Sequence, residues 1–197
     1  LVATDQMIDT PTNNFATLNP LIKPSGTNTF AEGNLKVTSS SAWNTILGTQ
    51  SMSSGKWYWE AVPGSTNFAV GVMPDNVPAS MTNPHTAYGI IYRSNGDKGI
   101  DGTETAYGAS FSGGDIISYA VDMDASTIIF YKNGASQGSI SFSGTVANAA
   151  SVIPGGVSLS DTSYFNFGQD SSFAGTETAQ GNQDGNGKGD FYYAPPS

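Results

Sequence analysis

The chain has 197 residues, no cysteine, and sixteen acidic side chains against seven Lys and Arg, for a formal net charge of −9 at pH 7. That balance excludes a nucleic-acid binder that neutralises phosphates and disfavours anionic membrane surfaces, since both need clustered cations. The absence of cysteine excludes a disulfide framework and any thiolate-ligated zinc or iron–sulfur centre.

Residues 1–34 carry Pro11, Pro20 and Pro24 among Thr and Asn, and are expected to form an irregular lead-in along the outside of the fold, suited to assembly contacts. The chain starts at Leu1 with no basic-then-apolar leader, and it stops on Tyr192, Tyr193, Ala194, Pro195, Pro196 and Ser197. Both ends are expected to be cut from a longer polypeptide. Short β-prone runs then follow, separated by Gly, Asn, Asp, Ser and Pro clusters: Lys56–Val62, Asn67–Met73, Asp115–Val121, Thr127–Lys132, Gln137–Phe142 and Tyr164–Phe167. This spacing predicts an all-β sandwich or barrel. In Lys56–Val62, Trp57, Trp59 and Ala61 share one face while Tyr58 and Glu60 take the other. Asn133-Gly134, between two such runs, predicts a tight hairpin, because both residues tolerate positive φ. No apolar run approaches the roughly 18–20 residues of a membrane span, and no stripe is long enough for a stable helix. Residues 175–190 have no large apolar side chain and are expected to be a flexible loop or linker. The expected organisation is a lead-in at 1–34, a sandwich at 35–174 and a polar linker with an aromatic and proline tail at 175–197.

Two separated motifs carry a family resemblance. Ser54-Gly55-Lys56-Trp57-Tyr58-Trp59-Glu60 resembles the GKWYWEV strand of the SPRY (B30.2-like) domain, and Gly71-Val72 is similar to the Gly-Val or Gly-Ile pair of that family's next strand. The stretch from Asp115 to Gly134 resembles its later core, with Asp115, Asp122, Phe130, Asn133 and Gly134 in register. The resemblance covers roughly residues 35–168. Residues 9–20 and 191–197 are similar to the segments flanking this domain in proteins of tailed phages. It implies a concanavalin-like sandwich of two antiparallel sheets with irregular extensions, whose loops at one end bind a partner, and no catalysis. It also implies a virion surface protein on capsid, tail or fibre, with other virion proteins or a host-surface glycan or protein as partner. Homo-oligomers are expected in that setting. A purely architectural subunit and a lectin or depolymerase are the alternatives.

The residues themselves offer little for catalysis. His85 is the only histidine, too few for a multi-histidine metal site, and no nucleophile elbow accompanies it. Glu60, Asp115, Asp122 and Asp124 are the acidic residues with strand context, and a paired-carboxylate site needs two carboxyls facing one cleft. Asp122 and Asp124 sit where turns favour Asp, and Glu60 is expected to be exposed or at a sheet edge. Asp184, Asn186 and Asp190 partly match an acidic calcium loop, but Lys188 stands at a ligand position and no closing Glu follows. No cofactor is expected, apart from this weak calcium candidate. The candidate binding residues are Tyr88, Tyr92, Arg93, Asn95 and Tyr107, placed on loops near the turn at 94–98. Aromatic, amide and guanidinium groups on loops make an adaptable surface.

Overall fold

The computed structural model describes residues 14–21, 27–40, 43–77 and 87–197. Among these, thirteen strands form two antiparallel sheets. The seven-stranded sheet runs β1 (Asn28–Ala31), β2 (Lys36–Ser39), β13 (Thr162–Asn166), β4 (Lys56–Val62), β9 (Ile117–Asp122), β10 (Thr127–Lys132), β11 (Ala135–Ser141). The six-stranded sheet runs β3 (Trp43–Leu47), β12 (Val152–Leu159), β5 (Phe68–Pro74), β6 (Ile90–Arg93), β7 (Asp97–Ile100), β8 (Thr103–Ala106). Helical structure is limited to a 3-10 turn at Glu32–Asn34 and the single turn α1 at Gly144–Ala147.

Strand alternation builds the core between the sheets. Trp59 and Ala61 of β4, Ile117, Tyr119 and Val121 of β9, and Ile128 and Phe130 of β10 face Phe68, Val70 and Val72 of β5 and Ile90 and Tyr92 of β6. The aromatic rings meet edge-on or tilted: Trp59 lies 4.6 Å from Tyr119, and Phe130 lies 5.9 Å from Tyr119 and 5.5 Å from Tyr92, centroid to centroid. Such contacts add roughly 0.5–1.5 kcal/mol each to the area they bury. The predicted hairpin forms between β10 and β11, with Asn133 at φ 49° and Gly134 at φ 78°.

Three regions depart from the sequence expectation. The described part of the lead-in does not stay outside: Ala16 and Leu18 join the core, and Leu18 bridges Gly48. The surroundings of the turn at 94–98, where Tyr92 and Arg93 are expected on loops, are three short strands, because successive pairing of β6 with β5, β7 with β6 and β8 with β7 supplies the hydrogen bonds that their mixed composition does not advertise. Residues 175–190 are laid out in hydrogen-bonded turns. Ser171 Oγ accepts from the N–H groups of Gln180 and Gly181, and Asp184 Oδ1 accepts from Asn186 and Lys188. Their side chains bury little, as composition implied. Order comes from the anchors on either side, Phe173 and Phe191, which are 2% and 5% exposed.

Candidate functional site

Antiparallel order brings the ends of β4, β6 and β10 and the starts of β5 and β9 to one end of the sandwich. The connections 63–67, 94–96, 107–116 and 133–134 therefore gather there. Between them lies an open depression of about 500 Å³. Thr66, Ser94, Asn95, Ser110 and Ser112 give it a neutral polar lining, Phe111 lies at its base, and Asp115 with Lys132 forms one wall.

That wall is tightly bonded. Lys132 Nζ donates to the Ser110 carbonyl at 2.8 Å and stands 3.4 Å from Asp115 Oδ2, which also accepts from Ser112 N–H at 2.8 Å. Asn133 Nδ2 donates to Asp115 Oδ1 at 2.7 Å. The amide oxygen of Asn133 accepts from Ile116 N–H, and its own N–H donates to the Ile116 carbonyl, both at 2.8 Å. Partial burial pushes the Asp115 carboxyl up, but the Ser112 N–H, the Asn133 amide and the Lys132 charge together outweigh it and hold the group below its ordinary value. A depressed carboxyl stabilises the fold above its unfolded value of 3.8 and loses that contribution as pH falls through the folded value. Asp115→Asn is therefore expected to flatten the acid limb of the stability curve. Thermal melts across the acid range check this, and an unchanged acid limb would refute it.

The candidate binding residues separate in space. Asn95 is exposed and lines the depression, its side chain closing the turn by accepting from Asp97 N–H at 3.1 Å. Tyr92 and Arg93 are not on a loop; they belong to β6, which corrects their placement. Tyr92 is fully buried, and its hydroxyl donates to the Ala109 carbonyl, pinning the 107–112 loop from below. Tyr107 is half-buried, with its ring 5.5 Å from Tyr92 and its hydroxyl donating to the Gly138 carbonyl. Arg93 pairs with Glu104 and lies 5.6 Å from the centre of the Trp43 ring. Tyr88 lies at the opposite end, beside a separate depression of about 390 Å³ with Asp101, Thr145 and Asn148. Tyr92 and Tyr107 thus tie the 107–112 loop to β6 and β11 through their hydroxyls. Sequence reasoning did not select Thr66, Ser94, Ser110, Ser112 or Lys132; the signal available was the motif carrying Asp115 and Asn133.

The acidic candidates also resolve. Asp122 Oδ1 accepts from Ala125 N–H, a turn role, whereas Asp124 Oδ1 accepts from Gly55 N–H and so ties its turn to the start of β4. Glu60 is neither exposed nor at an edge: it sits on β4, paired on both sides, and is 0% exposed. Its Oε1 accepts from the Tyr58 hydroxyl at 3.0 Å and Tyr193 N–H at 2.8 Å, and its Oε2 from Asn166 Nδ2 at 3.1 Å and Tyr192 N–H at 2.8 Å. Burial raises its pKa, and the four donors only partly offset that. The Asp184 carboxylate is committed to its own turn, and among the described residues no group of three or more His, Cys, Asp or Glu could hold a metal ion. His85 lies outside the described residues.

A strand-rich sandwich with loop-built ends and the two motifs in register defines a domain class. The SPRY domain family model matches residues 56–170, and the chain belongs to that family. SPRY domains are in general non-catalytic protein-interaction modules. Among solved structures, the SPRY domain of human HERC1 is 24% identical with a TM-score of 0.62, over 75% of this chain and 96% of that one. Stonustoxin is 17% identical with a TM-score of 0.61, over 77% of this chain but only 26% of its own. The TRIM65 PSpry domain is 15% identical with a TM-score of 0.57, over 77% and 92%. These likenesses are of fold. A comparison with curated protein sequences gives no match.

Proposed function

We propose that this SPRY domain is a non-catalytic binding module of a tailed-phage particle, displayed on capsid, tail or fibre, that holds a host-surface or virion partner at the loop depression. The observation that carries the binding reading is the depression itself. Loops from both sheets meet there around hydroxyl and amide groups with one internally neutralised ion pair. Such a lining suits an uncharged polar group, such as peptide backbone or sugar hydroxyls, held by hydrogen bonds rather than ion pairs. The phage setting is supported by the resemblance of residues 9–20 and 191–197 to segments of phage proteins. A net charge of −9 agrees with it, since it repels DNA and favours an outer position.

The test is a binding assay of the recombinant domain against a glycan array, host cells and purified virion proteins. Saturable binding to one of these is expected, weakened about tenfold by Asn95→Ala or Lys132→Ala, the loss of one or two hydrogen bonds. Binding that ignores both substitutions would move the site elsewhere. Absence of binding to all three would overturn the reading.

A further inference from the structure

We propose that residues 191–193 form a strap that braces the wall of the depression from behind, with Glu60 as its latch. The inference deepens the reading above, because the braced wall is the one lined by Asp115 and Lys132, but the bracing itself needs no ligand. Three sets of contacts carry it. The first is the latch. Consecutive backbone N–H groups, those of Tyr192 and Tyr193, donate to the two oxygens of one buried carboxylate, each at 2.8 Å. Asn166 Nδ2 ties the same carboxylate to the strap by also donating to the Asp190 carbonyl at 2.8 Å. Phe191, 5% exposed, packs edge-on to Tyr58 at 5.2 Å.

The second set is the seat. Tyr192 and Tyr193 pack on the cluster of Val62, Ile116 and Phe173, on the outer face of the seven-stranded sheet. The Tyr193 ring lies over Gly134, where a Cβ would come within 3.0 Å of ring carbons. The third set is the wall. Ile116 and Asn133 are joined by two reciprocal hydrogen bonds, and Asn133 holds Asp115, which pairs with Lys132. The strap thus presses on Ile116 and Gly134, whose neighbours Asp115 and Asn133 shape the front of the site. Between Phe173 and Phe191 no side chain is buried, so lifting the strap is a local opening rather than global unfolding.

The experiment is amide hydrogen exchange on the full chain. Tyr193→Pro removes one latch donor together with the ring over Gly134, without touching Glu60. The amides of Tyr192, Ile116 and Asn133 are expected to exchange about tenfold or more faster, whereas the Met123 amide, bonded to the Gly55 carbonyl at the far end, is unchanged. Freed exchange at Tyr192 with unchanged protection at Ile116 and Asn133 would overturn the bracing. Unchanged protection at Tyr192 would overturn the latch. Should Tyr193→Pro fail to fold, Tyr193→Ala decides: it keeps the N–H but removes the ring, so Tyr192 stays protected while Ile116 and Asn133 lose protection. Retained protection at both would refute the proposal. The exchange result holds whether or not a partner is found, so the two readings fail separately.

Discussion

Replacing Glu60 by alanine is expected to destabilise the domain by about 3 kcal/mol, since each buried donor left without an acceptor costs about 1–3 kcal/mol. Four donors lose their acceptor at once, and Asn166 among them is fully buried. The sum is limited because Tyr192 and Tyr193 can recover water when the strap lifts. Glu60→Gln keeps the volume but turns an NH₂ group toward two donors, and is expected to cost about 2 kcal/mol by the same reasoning. The pH dependence has a definite sign. A carboxyl raised above its unfolded value of 4.5 stabilises the fold fully below that value and loses the contribution as pH rises through the folded value. The Tyr58 phenol, pushed up first by burial and then by the Glu60 charge, remains a donor throughout. Denaturant titrations at a series of pH values should show this slope in the native chain and not in Glu60→Gln. Equal midpoints for Glu60→Ala and the native chain would remove Glu60 from the fold's supports.

What the sequence displayed and what it hid follow from range. The β-prone runs Lys56–Val62 and Thr127–Lys132 coincide end for end with β4 and β10, because aromatic and β-branched runs bounded by turn residues are local signals. The Asn133-Gly134 hairpin is equally local. Glu60 was hidden because what covers it comes 132 residues later in the chain. Alternation placed it opposite Trp59 correctly, but nothing nearby said that a second layer would close over that face. Tyr92 was hidden for a different reason: Ile90-Ile91-Tyr92-Arg93 has no apolar–polar alternation, so its inward face could not be read before β5 was placed beside it. The depression is assembled from loops far apart in sequence, and its serines and threonine match any other loop composition. Only the Asp115–Asn133 clasp left a trace, in the spacing of a family motif.

The other large effect is expected at Gly71, the glycine of the motif in β5. It pairs with Gly155 of β12 on one side and Ile91 of β6 on the other. A Cβ at Gly71 would fall on the carbonyl oxygen of Ile90 and lie 2.8 Å from the Cα of Ile91. Both are backbone atoms of the neighbouring strand, so no side chain can rotate away, and β6 itself must shift. Overpacking of this kind costs typically 1–3 kcal/mol and occasionally more, and Gly71→Ala is expected at about 3 kcal/mol. The shift also has a functional reach, because β6 carries Tyr92, whose hydroxyl pins the 107–112 loop beside the depression. Gly185→Ala is the control. Nothing lies within 4 Å of a Cβ there, so its midpoint should stay within about 0.5 kcal/mol of the native chain. Denaturant midpoints for the two variants decide the matter. A Gly71→Ala domain as stable as the control would show that β5 tolerates a side chain, and that the motif glycine serves something other than the close approach of β6.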